Sequence, residues 1–312
     1  MRGEAMSRIF LFPGQGSQAV GMGRDFYERS QEAREIFSLA DEALGFSLSR
    51  LCLEGPEEEL RLTSRAQPAL LTVSYIAFRM LRIKPDLAAG HSLGEYSALV
   101  AAGSLDFADA VKLVHNRGCY MMEAVPPGRG TMAAVLGLDY QKVEAGLKAV
   151  SSGLVQVANW NAEDQIVIAG EKEAVEEALA ILKAPRSVPL QVSGPFHTSL
   201  MKPAAEKLRA DLEKINFRDP AFPIISNVTA REMLSGTEAK ELLYRQVFSP
   251  VLWYPAMQRL RELGIGQAVE LGPGKVLTGI LKRISRQWAE APALLNVEDM
   301  NSLESCRQAI SS

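Results

Sequence analysis

Histidine and cysteine are the scarcest reactive residues in this chain, with three of each in 312 positions. Cys52, Cys119 and Cys306 are odd in number, far apart and never in a C-x-x-C pair. That argues against a disulfide framework or a cysteine-based zinc site, and leaves reduced thiols as the expectation. An excess of positive charge is missing too: 34 Lys and Arg against 37 Asp and Glu give a net charge of −3. No chain-wide basic surface exists to neutralise a phosphate backbone, so nucleic acid is not an expected partner. Long apolar runs are absent as well. None reaches the roughly 18 uninterrupted residues of a membrane span, and the early run 9–12 is too short for the apolar core of a signal peptide. The expectation is a cytoplasmic protein without a membrane partner. Asn227-Val228-Thr229 matches a glycosylation acceptor but means little without a secretory route. The five residues before Met6 read as an extension outside the fold. No internal repeat or low-complexity segment occurs.

What is present is an apolar fraction of 47%, enough for one large core with a smaller companion. Residues 9–12 read as a buried strand ended by Pro13-Gly14. Helical spacing follows over 24–44, 56–61 and 67–82, the last opened by Pro68. A short strand at 87–89 runs into Gly90, a helix resumes after Ser92, and another covers 106–123 before Pro126-Pro127. The next seventy residues change character: strand 131–138, helix 140–150, strands 155–160 and 165–169, helix 171–183, strand 187–192. That β-α-β-β-α-β order is the order of a ferredoxin-like unit, inserted over 127–196. Beyond it come helix 199–215, strand 224–226, helix 237–248, strand 268–271, the turn Gly272-Pro273-Gly274 and helix 275–288. The expected fold is α/β: a main domain over 6–126 and 197–312 with a mainly parallel sheet, and the subdomain 127–196.

Gly90-His91-Ser92-Leu93-Gly94 is a G-x-S-x-G sequence lying after a strand and before a helix. That context makes it a nucleophile elbow, a sharp turn exposing the serine hydroxyl while the next amide faces developing negative charge. The bland alternative is a glycine-rich turn with an incidental serine. A nucleophilic serine needs a base, and three histidines are available. His91 adjoins the serine, where its ring points away. His115 lies on the helix 106–123, packed or at the surface. His197 follows strand 187–192 in Gly194-Pro195-Phe196-His197, where a tight turn can bring an imidazole to the end of a neighbouring strand. By elimination His197 is the candidate base of Ser92.

Five segments in order make these residues more than generic: Phe12-Pro-Gly-Gln-Gly-Ser-Gln18, Gly90-His-Ser-Leu-Gly-Glu-Tyr96, Asn116-Arg117-Gly118, Gly194-Pro-Phe-His197 and Gly272-Pro-Gly-Lys-Val-Leu-Thr278. Over about residues 8–290 the chain closely resembles the malonyl-CoA:acyl carrier protein transacylases of bacterial fatty acid synthesis and the acyltransferase domains of polyketide synthases. The resemblance implies a hydrolase-like α/β domain with a ferredoxin-like subdomain. It also implies transfer of malonyl from malonyl-CoA to holo acyl carrier protein, with no metal or redox cofactor, by an enzyme that is usually monomeric. By position, Ser92 would be acylated and His197 would take its proton. The backbone amides of Gln15 and Leu93 would form the oxyanion hole, glycines beside Gln15 allowing close approach to a carbonyl. The bland alternative is that Gly14 and Gly16 make a plain turn; a phosphate loop is disfavoured because the Walker ending and the G-x-G-x-x-G spacing are missing.

The resemblance further implies that Arg117 grips the free carboxylate of malonyl, for which a planar guanidinium offers two parallel hydrogen bonds. Met121, four residues on, would share its helical face and line the acyl pocket. Phe196 would limit room for a branched acyl chain. Gln246, in Arg245-Gln-Val-Phe-Ser-Pro250, would orient His197 through its backbone carbonyl. Two other functions stay open: a serine hydrolase of the same elbow type, and a scaffold that binds carrier proteins without chemistry. The patatin-like form of the hydrolase is disfavoured because the chain contains no Asp-Gly dipeptide. Lys275, Lys282, Arg283 and Arg286 along helix 275–288 are either a solvated face or a landing site for an acidic carrier.

Overall fold

A computed structural model describes residues 7–192 and 194–311; the extension before Met6 lies outside them. Among these residues ten strands form two sheets. The larger contains β1 (Arg8–Phe12), β2 (Leu87–Gly90), β7 (Ile224–Ile225), β8 (Glu232–Met233), β9 (Gln267–Leu271) and β10 (Ala293–Val297). Its order is β10-β9-β1-β2-β7-β8, parallel throughout except for the terminal β7–β8 pair. A parallel sheet is covered on both faces, so its strands are apolar in every register. β1 illustrates this: Phe10 and Phe12 enter one core and Ile9 and Leu11 the other, as the period of two requires.

The second sheet holds β3 (Gly130–Leu136), β4 (Val155–Ala162), β5 (Gln165–Glu171) and β6 (Arg186–Pro189) in the order β4-β5-β3-β6, with every pairing antiparallel. Two helices accompany it, Tyr140–Leu147 between β3 and β4 and Lys172–Leu182 between β5 and β6. They close a separate core around Val135, Val143, Ile166, Ile168 and Val175. This sheet is tied to the rest of the chain by main-chain bonds, Trp160 N–H to the Val251 carbonyl at 2.9 Å and Val251 N–H to the Ala158 carbonyl at 2.8 Å.

The helices that frame the site are α1 (Thr63–Leu81), α2 (Leu93–Ala101), α3 (Phe107–Glu123) and α4 (Gly236–Gln246). α1 starts four residues before the expected 67, which puts Pro68 inside its second turn. A proline there cannot bond back to the carbonyl of Ser64. His115 of α3 takes that carbonyl instead, at 2.8 Å from its Nδ1, which accounts for this histidine structurally.

Other departures from the expected elements have local causes. The helix expected over 24–44 breaks at Ser30, an extended residue whose hydroxyl accepts from Ala33 N–H at 3.2 Å and caps the second half. The strand expected over 187–192 stops at Pro189, and the helix expected to 288 ends at Ile284 with a 3₁₀ turn after it. Helices Leu48–Glu54, Trp253–Glu262 and Met300–Ser311, with strands β8 and β10, were not anticipated. Cys52 and Cys306 are buried free thiols, and Cys119 is half-buried.

Candidate active site

The site forms at the C-terminal ends of β1 and β2, where ligands collect in parallel sheets. β2 turns into α2 in two residues. Ser92 sits in that turn at φ 50°, ψ −105°, a region costly for a side chain and typical of a strained nucleophile elbow. A Cβ on Gly90 would lie 1.9 Å from the Gly94 carbonyl carbon, and one on Gly94 2.0 Å from the Phe12 carbonyl oxygen. Both flanking glycines are therefore steric requirements of the turn. The strain is held by hydrogen bonds from outside it: Ser92 N–H donates to Asn227 Oδ1 at 2.7 Å, and Asn227 Nδ2 donates to the Gly90 carbonyl at 2.7 Å.

Asn227 therefore staples the turn from both sides, buried at 2% exposure. Its place in a glycosylation-like triplet gave no hint of this. Asn227→Ala leaves a buried donor and a buried acceptor without partners, and is expected to lower the unfolding free energy by about 2–4 kcal/mol, to be read from urea melts.

His197 lies against Ser92, its Nε2 2.8 Å from the serine Oγ. Its Nδ1 faces the Gln246 carbonyl at 2.9 Å. A carbonyl only accepts, so Nδ1 carries the proton and Nε2 is left bare toward the hydroxyl. His197 too is in the left-handed region, at φ 61°. The tight Gly194–His197 turn delivers it as its sequence suggests. Burial, and then the nearby Arg117 charge, hold the imidazole far below its ordinary range, at about 3, so the ring is neutral at physiological pH. The other histidines lie outside this pair. His91 turns away to Asn161 Oδ1 at 2.9 Å and packs on Trp253, joining the elbow to the second sheet.

Arg117 projects from α3 and is 1% exposed. Its Nη1 donates to Gln67 Oε1 at 2.6 Å, and its Nη2 to Gln246 Oε1 at 2.9 Å and to Ser92 Oγ at 3.2 Å. All three acceptors are neutral. Among the described residues Arg117 has no carboxylate within ion-pair distance, and its Nε has no partner. A buried cation without a counter-ion is expensive, so burial lowers its pKa. Gly118 makes room for this packing: a Cβ there would meet Ser64 Cα at 2.6 Å.

Gln246 was expected to contribute only its carbonyl. Its side chain also donates to the Ser92 carbonyl at 3.0 Å and to Glu95 Oε2 at 2.5 Å. One residue thus links His197, Ser92, Arg117 and the buried Glu95. Gln67 and Glu95 carried no signal of their own in the sequence, since each looks like an ordinary helix residue.

A cavity of about 400 Å³ opens onto this cluster, lined among others by Gln15, Leu93, Met121, Phe196, Met132 of β3 and Val192 beyond the end of β6. The backbone N–H groups of Gln15 and Leu93 make no hydrogen bond to protein among the described residues. Leu93 is the first residue of α2, where the amide has no intrahelical acceptor. Phe196 and Met121 are buried, at 6% and 2% exposure. The arrangement supplies a polarised hydroxyl, a neutral base, free amide donors and a buried cation at one end of a pocket of mixed polar and apolar lining.

Away from this cavity, the basic helix is partly neutralised within the chain. Arg283 pairs with Asp164, and Lys275 lies 3.7 Å from Glu298. No helix among the described residues is long and apolar enough to cross a membrane, and no group of three or more His, Cys, Asp or Glu among them is placed to hold a metal ion.

A serine–histidine pair at the end of a parallel sheet, with free amides around it, is an arrangement able to carry acyl transfer, and the class of protein is an acyltransferase. The chain belongs to the acyl transferase domain family, whose sequence profile matches residues 9–306. It is 50% identical over 291 residues to the malonyl CoA-acyl carrier protein transacylase of Bacillus subtilis, covering 90% of this chain and 92% of the relative. The Escherichia coli K12 protein of the same name is 47% identical over 283 residues, covering 88% and 92%. Among solved structures, the malonyl CoA-acyl carrier protein transacylase of Coxiella burnetii superposes with a TM-score of 0.95 at 39% identity, covering 99% of each chain. A malonyl-transacylase in complex with a type II PKS acyl-carrier protein superposes at 0.93 and 43% identity, covering 97% of this chain and 99% of that one.

Proposed function

We propose that this chain transfers malonyl from malonyl-CoA to the phosphopantetheine thiol of holo acyl carrier protein through a malonyl-serine intermediate. The observation that carries this is Arg117: a buried cation with only neutral partners, 3.2 Å from the Ser92 hydroxyl. A dicarboxylic acyl chain esterified to Ser92 brings that cation its missing counter-ion. The relatives' printed names support the same cargo and acceptor.

Ser92 Oγ attacks the thioester carbonyl as His197 Nε2 takes its proton. The carbonyl oxygen, now negative, is received by the amides of Gln15 and Leu93. Collapse of the tetrahedral intermediate breaks the C–S bond, and the histidine proton leaves with the CoA sulfur. The carrier thiol then attacks the ester, giving its proton to His197, which returns it to Ser92. The exchange is redox-neutral and uses no cofactor in this reading. The Gln246 carbonyl fixes the tautomer of His197 without adding a negative charge, and Met121 and Phe196 shape the acyl pocket.

The four-stranded unit is a ferredoxin-like subdomain over 127–196, a reading supported by its strand order and its two accompanying helices. Residues 6–126 and 197–312 make the hydrolase-like domain. The enzyme works as a cytoplasmic monomer. With Lys275 and Arg283 engaged internally, Lys282 and Arg286 are the basic residues of that helix left for an acidic carrier.

Brief incubation with malonyl-CoA should add one malonyl group to the intact mass, located on Ser92 by peptide mapping. An unmodified protein that nonetheless transfers malonyl would overturn the intermediate. The low pKa of His197 gives a second test. A base works in its deprotonated form, so activity is lost only as pH falls through its pKa. Acylation by acetyl-pantetheine, which brings no carboxylate to offset Arg117, should change less than about twofold from pH 7 to pH 5. A histidine with the ordinary value of about 6.5 would lose about 25-fold over that span. Stopped-flow acylation rates distinguish the two.

A further inference from the structure

Resting on the reading that Ser92 is malonylated, we infer that Glu95 is a positioning residue for the acyl carboxylate and takes up a proton when that carboxylate settles on Arg117. The geometry is a short chain of contacts. Arg117 Nη2 donates to Gln246 Oε1 at 2.9 Å, and Gln246 Nε2 donates to Glu95 Oε2 at 2.5 Å. Glu95 is fully buried, and its Oε1 has no hydrogen-bond partner. Arg117 and Glu95 are thus the opposite charges of the empty site, held apart by one amide. A substrate carboxylate on Arg117 becomes its first directly paired counter-ion, since Glu95 acts on it only across the Gln246 amide. The pocket would then hold two negative groups for one positive group, in surroundings where like charges interact strongly. Neutralising the inner acid relieves this.

Among the described residues, the surroundings of Glu95 offer no other cation. Arg117 faces it from α3 and Tyr96 from its own helix. The buried face of α1 is uncharged, β2 and β7 are apolar, and the 226–227 segment and α4 present the neutral Ser226, Asn227 and Gln246. His197, which faces the Gln246 carbonyl at 2.9 Å, stays neutral. Desolvation already places the Glu95 carboxyl at about 7 in the empty site, against the opposing effects of Gln246, Asn227 and Arg117. A modest further push therefore changes its charge at physiological pH.

Linkage is reciprocal. If the acyl carboxylate favours protonated Glu95, then protonated Glu95 favours the acyl carboxylate by the same factor. A displacement of one pH unit corresponds to about tenfold in affinity. The ester exchange itself converts a hydroxyl and a thioester into an ester and a thiol, with no net proton, so any uptake reports on the protein.

The test loads the full-length enzyme stoichiometrically with malonyl-CoA in weak buffer at pH 7, following an indicator dye and the intact mass together. About half a proton should be taken up per serine loaded. None is expected with acetyl-CoA at a concentration that loads the serine, or with folded Glu95→Gln. The preference for malonyl over acetyl in acylation should fall about tenfold from pH 6 to pH 8.5 in the native enzyme and stay level in the variant. Malonylated mass without proton uptake, and with a pH-independent preference, overturns the inference. Absence of malonylated mass overturns the reading beneath it. Should Glu95→Gln not fold, the native enzyme's uptake and its infrared difference spectrum decide: a protonated carboxyl band must appear with malonyl and not with acetyl.

Discussion

Ser92→Ala protein is expected to gain no mass from malonyl-CoA and to lose transfer to the carrier by a factor on the order of 10³–10⁶. The alcohol is the one group that the site can esterify. Without it, His197 faces a methyl group, and the carrier thiol would have to attack malonyl-CoA directly. The amides of Gln15 and Leu93 would still receive the oxyanion, which accounts for a residual rate. The substitution removes one oxygen from a half-buried position, so folding should be retained and checked by circular dichroism. Radiolabelled malonyl-CoA with quenched-flow sampling measures both numbers. A variant that still loads malonyl at a comparable rate would end the serine mechanism.

Arg117→Ala is expected to lower kcat/KM for malonyl-CoA by about 10²–10⁴-fold. That is the loss of a buried charge-assisted pair, for which 3–5 kcal/mol is typical. Acetyl transfer should suffer far less, because acetyl offers no carboxylate to the cation. The comparison matters more than either rate alone. Arg117 also touches Ser92 Oγ, Gln67 and Gln246, so some general loss from disturbed packing falls on both acyl groups. Equal losses would make the arginine a structural member of the cluster and remove the physical basis of malonyl selectivity.

Much of this site is legible in one dimension. The G-x-S-x-G segment marks the elbow because its first glycine is dictated by a local backbone contact, Gly90 meeting Gly94, while Gly94 is also required by a distant one, the end of β1 at Phe12. Scarcity helps as well, since with only three histidines elimination leaves His197. Strands β1, β2 and β9 are visible because a parallel sheet buries both faces and writes itself as short apolar runs. Strand β7 is visible as well, as the apolar pair in 224–226. Its two-residue partner β8 and the terminal β10–helix unit are not, since so short a run, or a strand half exposed, carries too little pattern to separate from loops.

The residues that hold the cluster together leave a different kind of trace, or none. Asn227 sits in a triplet that resembles a modification site, yet it braces the elbow across a separation of 135 residues. Gln67, Glu95 and the side chain of Gln246 are polar residues on helices, indistinguishable in sequence from solvent-facing positions. Arg117 belongs with them physically, because nothing in helical periodicity tells a buried arginine from an exposed one.

From the order of residues alone come the elements around the elbow, the candidate pair Ser92 and His197, and the segment that became the second sheet. These depend on local sterics and on hydrophobic period, which are written within a few residues. The charge state of the site comes from three-dimensional packing. Helices α1, α3 and α4, distant in the chain, enclose one arginine, one glutamate and one histidine away from water, and desolvation and mutual proximity then set which of them are ionised. Those are functions of distance and burial, and neither quantity exists until the chain has folded.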